Sequence, residues 1–303
     1  MALPGAMRQD DSRWTDENGQ VIDEDHRGLV YDIRTMIDRR RALGIFGGVA
    51  LTSLLAACGA KTQDAAASPS TTATPSASAA PTPTASASAA AEASTPLDEV
   101  PDETGGPYPA DGSNGVNVLD DSGIVRSDIR SSFGSSTTLA AGVPLTIALT
   151  VRDAATGAPL AGRGVYLWHC DRDGNYSLYS RGVENENYLR GVQQTDASGT
   201  VSFTSIYPAC YSGRWPHIHF EVYDDVATAV AAGPIVKTSQ IALPPEANTA
   251  VYATTGYERS ISNASQVSLQ GDNVFGDDSG IHQLATMSGS VSGGYAAALT
   301  IGV

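Results

Sequence analysis

Basic residues are scarce in this chain: 18 Lys and Arg stand against 33 Asp and Glu, giving a formal charge of −15 at pH 7. With no basic stripe there is nothing to neutralise a phosphate backbone, so nucleic-acid binding is excluded as a main function. Long apolar runs are missing too. The most apolar stretch, Ala42 to Ala57, is too short for a comfortable bilayer span. No repeat of solenoid period occurs. Between Gly59 and about Pro96 aromatic residues vanish and no hydrophobic period survives, leaving almost wholly Ala, Ser, Thr and Pro. Such a composition cannot offset its ordering entropy by burial. Cysteine is limited to Cys58, Cys170 and Cys210.

These absences divide the 303 residues. The first hundred contribute little to a core, and the remaining two hundred suffice for one sandwich-type domain. Arg39-Arg40-Arg41, the short apolar run and the small residues before Cys58 form the pattern of an export signal. The consecutive arginines resemble a twin-arginine signal, and Leu55-Ala56-Ala57-Cys58 resembles the lipobox of bacterial lipoproteins. The expected organisation is a leader and signal over 1–57, a flexible tether over 58–100 and a folded domain over 101–303. The domain is then exported and anchored to the membrane through lipid on Cys58, its only membrane contact. An uncleaved anchor helix is the alternative, and it too places the domain outside the cytoplasm. A tether of about forty residues has a reach of roughly 35 Å. The acidic segment Met1 to Asp38 is long for such a leader, and nothing in its composition accounts for it.

Beyond a Pro/Gly-rich stretch, Pro101 to Gly115, short β-prone segments alternate with turn chemistry. Strands are expected at Leu145 to Val151, Gly164 to Cys170, Thr200 to Ile206, through the histidines near 217, and at Ile235 to Leu243, Val267 to Val274 and Val291 to Val303. Glu184 to Arg190 reads as a loop, and only Pro245 to Tyr252 looks helical. This spacing predicts an all-β protein, an antiparallel β-sandwich with long loops.

The chemistry concentrates in Arg214-Trp215-Pro216-His217-Ile218-His219-Phe220. Side chains at i and i+2 of a strand share a face, so His217 and His219 can hold one ion while Ile218 and Phe220 enter a core. Imidazole suits Fe, Cu, Zn and Ni alike, so the pair names no metal. Two hydrogen-bonded core histidines are the plain alternative. Tyr176, at the end of the Asp171–Asn175 turn, and Tyr211, six residues before His217, are each readable as ordinary half-buried aromatics.

Taken in order, however, Gly164-Val165-Tyr166-Leu167-Trp168-His169-Cys170-Asp171-Arg172-Asp173-Gly174-Asn175-Tyr176, Leu189-Arg190-Gly191, Thr195-Asp196-Ala197-Ser198-Gly199, Pro208-Ala209-Cys210-Tyr211 and the histidine segment resemble the intradiol ring-cleavage dioxygenases. That family includes the catechol dioxygenases and the protocatechuate 3,4-dioxygenase β-subunit, and the resemblance runs from about Pro101 to Leu243. It implies a mononuclear non-haem Fe(III) ion held by Tyr176, Tyr211, His217 and His219. Hard anionic phenolates suit the ferric state, whereas two histidines and one carboxylate would suggest ferrous iron. The resemblance further implies a catechol-type diol and O2 as substrates, with both oxygen atoms entering a cis,cis-muconate-type product. Within it, Tyr211 matches the tyrosine that leaves the metal and Tyr176 the one that stays. Arg214 matches an arginine beside the substrate, and Gln240 a second-sphere glutamine.

Two departures limit what carries over. Only two residues separate Tyr211 from Arg214, where the better-known members have a longer loop, so the pocket should be more open and the substrate is not transferable. The secretory leader points to a substrate met outside the cytoplasm. Trp215 and Tyr207 line the pocket or merely pack, His169 is core or second-sphere, and His282 is expected at the surface. With Cys58 given to lipid, Cys170 and Cys210 are an even pair in an exported domain, and a disulfide between them is expected. Two other functions remain open: a non-catalytic carbohydrate- or protein-binding sandwich on a stalk, and a zinc hydrolase, for which a third ligand and a general base are not evident. Homo-oligomerisation is left open.

Overall fold

The computed structural model describes residues 95–303, and the leader, the signal, Cys58 and most of the tether lie outside the described residues. Eight strands form two four-stranded sheets. The first has the order β4 (Thr200–Ile206), β1 (Pro144–Arg152), β8 (Gly294–Gly302), β7 (Thr286–Ser290). The second has the order β3 (Arg190–Gln194), β2 (Gly164–Trp168), β5 (His217–Tyr223), β6 (Ile235–Ala242). All neighbours are antiparallel except β1 and β8, which pair in parallel. The expected all-β sandwich is therefore correct in class, with one parallel seam.

Strand alternation explains the layers. In β1, Leu145, Ile147, Leu149 and Val151 are buried, and the residues between them are exposed or half-buried. These side chains meet Val165, Leu167, Ile218, Phe220, Val222 and Ile241 of the second sheet in one inter-sheet core. β2 and β5 are buried at every position, which means that their other face is covered as well. There Tyr166, Trp168 and Tyr223 pack with Val118, Leu119, Ile124, Cys170 and Tyr176 in an outer apolar layer. The site is built on this outer face.

Several expectations need correction. Val267–Val274 is not a strand: the Ser268 hydroxyl caps a 3-10 turn at Leu269–Gly271, and Asp272 then takes the backbone N–H groups of Val274 and Phe275. Arg190 opens β3 rather than closing a loop. The C-terminal segment is a hairpin of two strands, not one. Two short helices were not foreseen, α1 (Val226–Val230), capped by Asp225, and α3 (Glu258–Ala264), on either side of the expected helix α2 (Pro245–Tyr252) in chain order. Seven and five residues are too few for an amphipathic period to stand out. Residues 95–100, expected in the tether, run along the sandwich: Glu99 bridges to Gly302, and Val100 is buried.

Phe220 is fully buried on the core face of the strand that carries both histidines. Phe220→Ala should cost about 3–5 kcal/mol in urea unfolding through lost burial and the cavity left behind.

Candidate metal centre

The register across the second sheet sets Arg190, Trp168, His219 and Gln240 side by side in one rung through β3, β2, β5 and β6. His217 lies two residues along β5 on the same face, opposite Ala242. The two imidazoles converge, with their Nε2 atoms 3.1 Å apart. The Nδ1 of His217 is 2.6 Å from the Trp215 carbonyl, which can only accept, so Nδ1 carries the proton and Nε2 presents a bare lone pair. Trp168 stacks on His219 at 4.9 Å and 5° and fixes the plane of that ring.

Tyr176 arrives from the β2–β3 connection. The Asp171 carboxylate accepts the backbone N–H groups of Asp173 and Asn175, and Gly174 takes the left-handed conformation (φ 91°) that closes the turn. A Cβ on Gly174 would touch the Tyr211 Cβ, so the two tyrosine-bearing segments lie against each other. Tyr211 is held by the segment before it. The Cys210 N–H donates to Ser260 and the Cys210 carbonyl accepts from Asn263, both on α3. The Tyr211 hydroxyl is 3.1 Å from His217 Nε2. The Tyr176 hydroxyl is buried and finds no hydrogen bond of regular geometry, although Tyr211 stands close enough to oppose its ionisation.

The structure therefore brings together all four expected ligands. Their electrostatics follow from burial. Desolvation first, and the Arg214 charge second, hold His217 well below the usual imidazole range. Desolvation, then His217 and Arg214, do the same for His219. Neutral imidazoles with lone pairs turned inward are the form that binds a metal. Desolvation pushes the Tyr176 phenol well up, a direction that a bound cation reverses. Two converging imidazole nitrogens, a phenol beside them and a second, orphaned phenol form a donor set that fits a hard, high-valent ion such as ferric iron.

Arg214 and Gln240, expected beside the substrate, are both buried and joined: Arg214 Nη2 donates to Gln240 Oε1 at 2.7 Å, and Gln240 Nε2 donates to the Thr104 carbonyl. The sequence reading missed Asp272. Its carboxylate accepts from Arg214 Nε at 3.0 Å and from the Trp215 N–H at 2.7 Å, with both charged side chains fully buried. It sits where a strand was expected, and no short-range pattern marks it. Trp168, Ser260, Asn263 and Tyr108, whose ring lies 4.9 Å from that of Tyr176, were likewise unassigned. Trp215 packs, its indole N–H donating to Leu243, and Tyr207 is a core residue bonded to Asn248. His169 also belongs to the core, joined to Ser205 of β4, and burial lowers its pKa to about 4. His282 is half-buried rather than exposed.

The expected Cys170–Cys210 disulfide is not formed. Both thiols are free and buried. Cys170 packs in the outer layer with its thiol on the Ala209 carbonyl, whereas Cys210 belongs to the inter-sheet core with its thiol on the Arg214 carbonyl. Adjacent segments thus carry them into different layers. Burial raises Cys170 and pushes Cys210 up to about 12, so neither thiol is reactive.

Residues 130–229 match a family model described as "Dioxygenase", a span that contains Tyr176, Tyr211, Arg214, His217 and His219. The match covers about a third of the chain, and over that span the chain is similar to dioxygenases. A 62-residue segment is 37% identical to chlorocatechol 1,2-dioxygenase of Rhodococcus opacus, covering 20% of this chain and 24% of that protein. The match thus spans about a quarter of the curated relative's length. Among solved structures, an intradiol ring-cleavage dioxygenase from Tetranychus urticae aligns at 25% identity and a TM-score of 0.48, over 60% of this chain and 87% of that one. A second dioxygenase crystal structure aligns over the same shares at 23% identity and a TM-score of 0.50, a likeness of fold. The matched segment ends before Gln240, whose place beside Arg214 rests on the geometry alone.

Two outcomes test this electrostatic frame. Asp272→Ala leaves the buried Arg214 guanidinium without its anion and should cost about 3–5 kcal/mol in urea unfolding. The second concerns Glu103, a buried carboxyl whose pKa burial pushes up to about 8 from 4.5, against a hydrogen bond from Gln283. Folded protein keeps that proton over this window while the unfolded chain loses it, so stability falls as pH rises from 4.5 to about 8. Glu221 acts in the same direction. Glu103→Gln should flatten the Glu103 share of that decline in denaturation midpoints measured across the window.

Proposed function

We propose that this chain is an exported ferric dioxygenase that cleaves a catecholic ring between its two hydroxylated carbons, adding both atoms of O2 to give a cis,cis-muconate-type diacid. The observation that carries this reading is the gathering of Tyr176, Tyr211, His217 and His219 against one another at the outer face of a buried sheet. Ferric iron held there would bind the diol through both oxygens and make it electron-rich toward O2.

The chain's own residues divide the remaining work. Tyr211 is partly exposed and follows a pinned Cys210, while Ser212 and Gly213 beyond it are also partly exposed. Its phenol oxygen is the one placed to give way to a substrate oxygen and to accept that oxygen's proton. Tyr176, 2% exposed and wedged between Tyr108 and Tyr211, remains in place. Arg214 cannot lose its charge and is locked by Asp272 and Gln240, so it offers a preorganised cation to negative charge developing on the ring. The tight turn from Tyr211 to Arg214, with Gly213 at φ 82°, leaves little wall above the site and favours bulky or varied catechols.

Export rests on the arginine run, the short apolar segment and Cys58, with the lipid anchor as the only membrane contact. Purified protein with iron should be red to brown and should consume O2 with at least one member of a panel of catechol, protocatechuate, hydroxyquinol and lignin-derived catechols. His217→Ala should lose both the colour and the bound iron. A colourless, iron-free protein, or an iron-replete one that consumes no O2 with any of them, would favour the binding-module alternative.

A further inference from the structure

Arg190 lies on the same rung and face as His219 and Gln240, is 1% exposed, and has no acidic partner among the described residues. Its donors go to neutral oxygens instead. Nε donates to the Ser177 hydroxyl (3.1 Å) and Nη2 to the Ser177 carbonyl (3.0 Å), which grips the residue next to Tyr176 at two points. Nη1 donates to the Pro109 carbonyl and to the Tyr166 hydroxyl, both at 3.0 Å. Tyr166 in turn donates to the same Pro109 carbonyl at 2.7 Å, and the ring of Tyr179 lies 5.5 Å from the guanidinium carbon. Pro109 follows Tyr108, the ring packed on Tyr176. One planar side chain therefore fastens the backbone beneath a proposed ligand and the backbone beneath that ligand's aromatic cover.

A buried guanidinium without an anion is costly, and hydrogen bonds to neutral oxygens repay only part of its desolvation. A group that served packing alone would be served as well by an apolar side chain. The buried Glu221 carboxyl shares this face but is taken by the Tyr223 hydroxyl; the proposed phenolate-bearing ligand set, which Arg190 approaches through Ser177, would bring the compensating negative charge.

We propose that Arg190 is a positioning residue of the metal centre: its fork fixes Tyr176 and Tyr108 against the sheet, and its charge balances the anionic ligand set. This role rests on the iron reading above. The two functions of the side chain separate by substitution, because lysine keeps the charge but loses the fork, while methionine loses both.

The test uses the full chain loaded with iron, as wild type, Arg190→Lys and Arg190→Met, with Lys237→Met as a control for an ion pair remote from the ligands, to Glu99 and Asp102. The readouts are iron retained per chain against a chelator, the visible absorption maximum and the thermal midpoint. Arg190→Met should retain iron at least about tenfold less well, as loss of an outer-sphere partner does, and should shift the absorption maximum. Arg190→Lys should recover retention but not the wild-type maximum. Lys237→Met should lower the midpoint and leave the maximum unmoved. If Arg190→Met does not fold, Ser177→Ala, which removes the Nε acceptor, should shift the maximum. A coloured wild type beside an Arg190→Met, or in its place a Ser177→Ala, with unchanged maximum and retention overturns the role of Arg190 alone. A wild type that takes up no iron overturns the metal reading and this role together.

Discussion

The structure depends on a constraint at one strand: two imidazoles sit on the buried outer face of β5, and their ring nitrogens must be satisfied away from water. The Trp215 carbonyl settles His217 by taking its Nδ1 proton. With His219 protonated on Nδ1, what remains is a pair of inward lone pairs 3.1 Å apart, which the two imidazoles do not satisfy between themselves. A donor or a cation has to enter, and Tyr211 and Tyr176 are the groups that the fold sends there. The outer apolar layer, the Asp171 turn and helix α3 all serve to deliver those two phenols.

A second buried arrangement keeps the first from collapsing. Arg214 would repel any cation placed near the histidines were its charge not shared with Asp272, which lies 3.0 Å from its Nε. Such a pair gains little over an apolar packing of the same volume, yet removing one partner is severe. Its presence so close to the histidines is better explained by the need for a fixed positive charge than by stability. Asp272 also takes the backbone N–H groups of Val274 and Phe275, so a single carboxylate orients the arginine and shapes the chain that covers it. Phe275 in turn lies 6.5 Å from the His217 ring and closes that side.

What could be read from the chain alone follows from the range of the interactions involved. Alternation in Leu145 to Val151 and the i, i+2 spacing of His217 and His219 are local, and both translate directly into a face. The order of the tyrosine and histidine motifs carried a family resemblance, and that resemblance implied the expected ligand set. Arg190 and Asp272 escaped because their partners are distant in sequence: Arg190 bonds to Pro109, and Asp272 to Arg214. The disulfide expectation failed for a related reason. Even number and exported context are properties of composition, whereas bridging needs two thiols in one layer, and Cys170 and Cys210 pack in different ones. Val267–Val274 misled because its β-branched ends surround a serine cap and a glycine that bend the backbone.

The parallel seam between β1 and β8 sets an order of assembly. The second sheet draws all four of its strands from residues 164–242, a contiguous stretch of chain, so all four proposed ligands have been synthesised before β7 and β8. The first sheet, by contrast, joins Leu145 to Tyr295 and Arg152 to Gly302, and it cannot close until the last strand has left the ribosome. Closure across so long a loop is entropically slow. The half that carries the chemistry can therefore form during translation, and the half that shields its inner face can join only afterwards.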